Sequence, residues 1–229
     1  MSLILNIDTA IDTASISLAK EGDIIAQVSN ADQKEHGSFL QPAIQSLLEE
    51  TSFSIKSLDA IAVSAGPGSY TGLRVGMASA KGLCYALEKP LILVETLKIL
   101  SFAAILEFKP DEINLPLIYC PMIDARRMEV FTALYDSDLK SLLNPQAMIL
   151  ESDSFAKDLL KNKILFFGNG AKKWEQICTN KNALFAPVFT NVLAMSKLSQ
   201  QKYAEGFFAE VAYAEPLYLK EFFAGPGTA

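Results

Sequence analysis

Two stretches of the 229-residue chain run through the same order of features, and that recurrence limits the folds open to it more than any other property. The first strand of each stretch ends in an aspartate, Ile7-Asp8-Thr9 and Ile123-Asp124-Ala125. A later strand in each runs through Gly-x-Gly into a helix, Gly66-Pro67-Gly68 and Gly168-Asn169-Gly170. Asp and Gly favour turns on their own account, so any one of these features alone reads as a turn. Their matching order predicts a duplicated α/β unit. Two such units place two carboxylates and two backbone loops around one cleft, an arrangement suited to a magnesium-bound nucleotide.

Hydrophobic periodicity fills in the elements. LILNI, TASISLA and IIAQVS read as a three-strand meander, with Lys20-Glu21-Gly22-Asp23 as the hairpin turn between the last two. From His36 the apolar positions change period: Phe39, Leu40, Ala43, Ile44, Leu47 and Leu48 follow at helical spacing. Pro42 sits inside this stripe, so the helix either starts near Ser38 or bends there. DAIAVSA, a helix over about 70–88, PLILVE and a helix from Thr96 to Glu107 complete the order βββαβαβα. PLIYCPMI, EVFTALY, QAMIL, a helix from Ser152, ILFFG and a helix from Ala171 restart it. The stretch 107–115 is the expected boundary, giving an N-terminal lobe over 1–108 and a smaller C-terminal lobe over 109–229 whose last helix packs back on the first.

Composition narrows the chemistry. No apolar run nears the ~18 residues that span a bilayer, and MSLILNIDTA lacks the basic start of a signal peptide, so a cytoplasmic location is expected. Cys84, Cys120 and Cys178 are far apart and read as buried thiols, without disulfide or zinc-ribbon spacing. A single histidine, His36, cannot supply an imidazole cluster. The formal charge of −6 argues against a broad phosphate-tracking face.

The stretch SAGPGSYTG, residues 64–72, invites three catalytic readings. A Walker loop needs Lys and then Ser or Thr after its second glycine, whereas Leu73 and Arg74 follow Gly72. A nucleophile elbow needs glycines on both sides of Ser69, where Pro67 and Thr71 stand. In a dinucleotide fingerprint the third glycine is one place late and Pro67 removes an amide from the anion-facing turn. A fourth reading uses the helix. Gly68, Gly72, Gly76 and Ala80 recur every four residues and make a groove without side chains, fit for close packing against this chain or against a partner. Tyr70 and Arg74 at its start are favoured interface residues.

These residues carry a resemblance over nearly the whole chain. LNIDTAIDTASISLA, His36 with QPAIQSLLEE, IAVSAGPGSYTGLRVGMASAKGLCYAL, DARRMEVFTALY and EPLYLK resemble the TsaB (YeaZ) family, the small non-catalytic relatives of the TsaD threonylcarbamoyltransferase. The resemblance implies the actin-like, sugar-kinase-like ATPase (ASKHA) fold with two duplicated lobes. It implies a scaffold role in making threonylcarbamoyladenosine beside the tRNA anticodon, bound to a TsaD-like subunit and a TsaE-like ATPase, and a homodimer when TsaD is absent. TsaD-like enzymes hold metal with HxxxH; the matching positions here are His36 and Leu40, so one ligand is missing. Asp8, Thr9, Thr13 and Asp124 are then remnants that bind nucleotide weakly or not at all, and no cofactor is required. The expected docking surface joins His36, Phe39, Leu40, Ala43, Ile44 and Leu47 on the first helix to Tyr70, Gly72, Arg74, Val75, Gly76, Ala78 and Lys81 on the glycine-faced helix. The competing expectation is a small ATPase or small-molecule kinase of the same fold.

Overall fold

A computed structural model describes residues 1–32, 36–108, 116–187 and 192–220. Its frame is two five-stranded mixed sheets. The first contains β1 (Leu3–Asp8), β2 (Ala14–Lys20), β3 (Asp23–Asn30), β4 (Ala60–Gly66) and β5 (Leu91–Glu95), in the order β3-β2-β1-β4-β5. The second contains β6 (Leu117–Asp124), β7 (Glu129–Tyr135), β8 (Ser141–Ile149), β9 (Lys163–Phe167) and β10 (Ala183–Ala186), in the order β10-β9-β6-β7-β8. In both, three antiparallel strands are extended by two parallel ones. Strand for strand the halves share one topology, the duplicated α/β unit that the repeated order of sequence features predicts.

Local chemistry explains the strands. Glu21 (φ 52°) and Gly22 (φ 80°) form the two-residue turn that pairs Lys20 with Asp23, the left-handed pair that suits a twisted hairpin. All seven residues of β4 are buried, as in a strand covered on both faces. β8 starts earlier than QAMIL suggested and takes Pro145 into a sheet edge, at a register shift opposite Thr132–Leu134, where proline's missing donor does no harm. The short strand β10, half-buried throughout, has no counterpart in the sequence reading.

The halves differ in their helices. Between the third and fourth strands the first half has α1 (His36–Thr51) and the second only α4 (Ala156–Leu159); between the fourth and fifth, α2 (Tyr70–Leu87) is matched by α5 (Ala171–Glu175). The helix expected from Ser152 is thus a single turn. α1 runs from His36 through Pro42, whose ring is exposed, so the start near Ser38 is set aside. The helices after the fifth strands, α3 (Thr96–Glu107) and α6 (Val192–Ala204), lie among the residues between the sheets. Ile4, Ala62 and Val94 of the first sheet meet Tyr119, Tyr135 and Phe167 of the second through Leu97, Leu100, Met195 and Leu198 of these helices. α6 packs on β1, β2, β3 and β5. There, Asn6 donates to Ser196 Oγ (3.3 Å) and accepts from Ser199 Oγ (2.6 Å), and Ser17 meets Ser196 at 3.2 Å, so the buried hydroxyls of the helix satisfy one another and the sheet.

Outer cores cover the remaining faces. α1 and α2 bury Leu40, Ile44, Leu47 and Met77 on the first sheet. Trp174, Phe155 and Phe166 pack edge to face on the second, with centroids 5.3–5.9 Å apart. Cys84 and Cys120 are buried as expected, whereas Cys178 is half-buried. Of the expected boundary, 107–115, residues 109–115 lie outside the described residues. Among the described residues no helix is long and apolar enough to cross a membrane.

Candidate functional site

The glycine turn brings two backbones of the same chain together. Ser69 caps α2, its Oγ accepting from the Gly72 amide at 3.3 Å, and its own amide donates to the Ala10 carbonyl at 2.6 Å. A Cβ at Gly68 would overlap that carbonyl, one at Gly72 the Thr9 carbonyl oxygen, and one at Gly76 the Thr9 hydroxyl. Thr9, fully buried, donates that hydroxyl to the Gly72 carbonyl at 2.7 Å. The stripe therefore packs internally, on the turn between β1 and β2. The second half repeats the device: a Cβ at Gly168 would overlap the Met122 carbonyl, which accepts from the Gly170 amide at 3.0 Å.

Between the halves lies a cleft of about 1000 Å³, bounded by Ile11, Asp12, Tyr70, Asp124, Arg126 and Tyr218 among others. The paired aspartates stand at its two hairpins and do the same work in each. Asp8 Oδ1 accepts from the Ala10 amide at 3.1 Å, and Asp124 Oδ1 from the Arg126 amide at 2.6 Å, each closing its own turn. Asp8 is only 2% exposed. Asp124 is paired with Lys173 at 2.6 Å. Asn169 bridges the hairpins, accepting from the Asp124 amide (2.9 Å) and donating to Asp12 (3.0 Å). Thr13 is half-buried in the first hairpin.

A magnesium ion shared by Asp8 and Asp124 would have to displace the Lys173 ammonium and uncover a carboxylate folded onto its own backbone, while Thr9 already spends its hydroxyl on α2. Magnesium demands near-octahedral oxygen ligation and surrenders its waters reluctantly, and these groups do not fit it. Among the described residues no three His, Cys, Asp or Glu side chains gather as a metal site.

The expected docking residues separate into two sets. Leu40, Ala43, Ile44 and Leu47 are at most 5% exposed and belong to this chain's own core, and Gly72 and Gly76 are buried on Thr9, so these six turn inward. Helical spacing identifies one apolar face but does not say which neighbour covers it. Phe39, Tyr70, Val75 and Lys81 are half-buried, and Arg74 and Ala78 exposed. His36 opens α1, and its side chain lies outside the described residues. The outward face of α2 holds residues the sequence reading passed over: Gly82, with no atom within 4 Å of a Cβ, and Tyr85, 84% exposed. The missed signal is a second small-residue stripe, Ala78, Gly82 and Ala86, all exposed and offset from the buried one.

The C-terminal segment 209–220 runs beside α2 as a strap. Ala209 bridges to Leu91 of β5, its amide donating at 2.8 Å. Lys81 Nζ donates to the carbonyls of Ala212 (3.1 Å) and Ala214 (2.9 Å), and the Leu217 amide to the Ala65 carbonyl (2.6 Å). Arg74 Nε donates to the Tyr218 hydroxyl at 3.1 Å, with its guanidinium 4.1 Å over the Tyr70 ring.

Comparison with known proteins matches residues 23–214 to the family model described as TsaD, tRNA N6-adenosine threonylcarbamoyltransferase. The chain is similar to the tRNA threonylcarbamoyladenosine biosynthesis protein TsaB of Bacillus subtilis (strain 168), 32% identical over 179 residues that cover 76% of this chain and 74% of the relative. The Escherichia coli (strain K12) protein of the same name is 28% identical, with 95% and 94% covered. Among solved structures, YeaZ from Pseudomonas aeruginosa superposes with a TM-score of 0.77 at 25% identity, over 96% of this chain and 100% of that one.

Proposed function

Because the chain belongs to the TsaB (YeaZ) family, within the wider TsaD family, we propose that it is a non-catalytic scaffold in tRNA threonylcarbamoyladenosine synthesis. It works in the cytoplasm, binds a TsaD-like catalytic subunit and a TsaE-like ATPase, and pairs with a second copy of itself when the catalytic subunit is absent. The observation that carries this reading is the use made of the inherited cleft: Asp8, Thr9 and Asp124 are bonded within the chain, while α2 turns Gly82 and the 84% exposed Tyr85 outward, a Cβ at Gly82 meeting no atom of the described residues within 4 Å. An interior helical glycine costs about 1 kcal/mol relative to alanine, and a neighbouring backbone seated on that face offsets the cost. A specific interface covers about 800 Å² on each partner, the scale of two helices of 16 and 18 residues laid side by side. The scaffold acts by binding the active conformation of its partner more tightly than the inactive one, a shift bounded by that difference in affinity.

Gly82→Arg tests the placement. It is expected to leave the fold intact and to abolish capture of a TsaD-like subunit, since Gly82 is exposed and a Cβ there meets no atom of the described residues within 4 Å; folded protein that still binds at full strength refutes it. Gly76→Arg cannot serve, because it would drive a side chain into Thr9.

The size of the cleft favours a second reading, a small ATPase or kinase of the same fold. Calorimetry with magnesium-ATP on the isolated chain separates the two. Micromolar binding with phosphate release supports the enzyme, and millimolar or no binding the scaffold.

A further inference from the structure

Gly66 is fixed by a residue 151 positions away. Its φ of +109° already favours glycine, and a Cβ there would stand 2.7 Å from the carbonyl oxygen of Leu217. The turn of the first half thus carries room for the strap in its own sequence. From that point the strap leaves the first half. Leu217, Tyr218, Leu219 and Lys220 form one side of the inter-lobe cleft, and Lys220 Nζ reaches Glu129 Oε2 of β7 at 2.6 Å.

We propose that residues 209–220 are an intramolecular tie that holds the two halves at a fixed angle, anchored on the first half through Ala65, Lys81 and Arg74 and on the second through the Lys220–Glu129 pair. The two anchors differ in kind. The first combines backbone hydrogen bonds with an aromatic stack, Tyr70 and Tyr218 having centroids 5.4 Å apart, and lies against buried backbone. The second is one ion pair whose lysine is 54% exposed. Exposed pairs contribute modestly, so the tie releases first at Glu129 while its root stays on α2. Release lets the halves pivot on the core they share at α3 and α6, against the remaining Asn169 bridge, and opens the cleft wall that residues 217–220 supply. The fold thereby holds its cleft with its own C-terminal chain, at hairpins whose carboxylates are already used in turns.

Single-molecule energy transfer on the full chain tests this. Dyes attach at Ser46→Cys on α1 and Lys157→Cys on α4, both exposed, in a Cys178→Ser background, since Cys84 and Cys120 are buried. The unmodified strap is expected to give one narrow inter-lobe distribution. Lys220→Glu should raise the population of wider separations ~3- to 5-fold, the range open to a surface pair. Lys220→Glu with Glu129→Lys should restore the narrow distribution. Leu217→Pro, which removes the amide donor to Ala65, should broaden it further. Unchanged widths in Lys220→Glu overturn the proposal, as does a charge swap that fails to restore the narrow state. Should Leu217→Pro unfold, the charge pair, at exposed positions, decides alone.

Discussion

Replacing Gly72, Gly76 and Gly82 by alanine, one at a time, sets helix propensity against space at three positions of one helix. All three changes gain about 1 kcal/mol of propensity. At Gly82 the new methyl meets nothing within 4 Å, so the gain is kept and stability rises by ~0.5–1 kcal/mol. At Gly76 the methyl meets the Thr9 hydroxyl, a side-chain end able to turn away, but turning costs its 2.7 Å bond to the Gly72 carbonyl. Losing a buried partner costs about 1–3 kcal/mol, which leaves the variant ~0–2 kcal/mol less stable. At Gly72 the methyl meets the Thr9 carbonyl oxygen itself, and the backbone of the β1–β2 turn or of α2 must shift. Overpacking of ~1–3 kcal/mol then adds to a weakened Ser69 cap of ~0.5–2 kcal/mol, which after the propensity gain leaves a net loss of ~0.5–4 kcal/mol. Thermal unfolding moves by about 2–4 °C per kcal/mol in a chain of this length. The expected order of melting temperature is Gly82→Ala above the parent, then Gly76→Ala, then Gly72→Ala lowest. A Gly72→Ala protein as stable as Gly82→Ala would refute the internal packing of the stripe.

Other consequences can be checked with the same protein. Burial pushes the Cys84 thiol up to about 11 from an ordinary 9.0. Its folded-state value lies above the unfolded one, so its contribution is complete below about pH 9 and is lost as pH rises toward 11, by at most ~3 kcal/mol. Cys84→Ala should flatten the stability curve in that window relative to the parent, and parallel curves would contradict the burial. Alkylation of native protein at pH 8 should modify Cys178 well before Cys84 or Cys120, as peptide mapping would reveal. Ser196→Ala removes the hydroxyl that Asn6 and Ser17 share, and denaturant unfolding should register a loss of ~1–3 kcal/mol.

The strands and long helices of the first half were legible because each carries a period and a stop: Thr96–Glu107 and the Glu21-Gly22 turn sit where the residues put them. The second half was harder. β10 is four half-buried residues without alternation and α4 a single turn too short to show a stripe, although the helix from Ala171 begins where the residues put it. At the site, the duplicated aspartates and glycines marked the hairpins correctly, but their types could not distinguish ligands from turn-closing groups. That distinction rests on Lys173 and Asn169, which come from another part of the chain. The docking helices show the same limit. Two small-residue stripes run along α2, and only the fold reveals that Thr9 covers the one containing Gly72 and Gly76.

The hydrogen bond from Asn6 to Ser196 spans 190 positions. β1 leaves the ribosome well before the helix that covers it and the segment that seats against Gly66, which lie about 190 and 151 positions further on. Until then the nascent first sheet must wait with one face unclothed and a buried amide unmatched. The first sheet is therefore completed only once residues 196–217 have been made, and the strands Leu3–Asp8 and Ala14–Lys20 should be the part most dependent on chaperones until then.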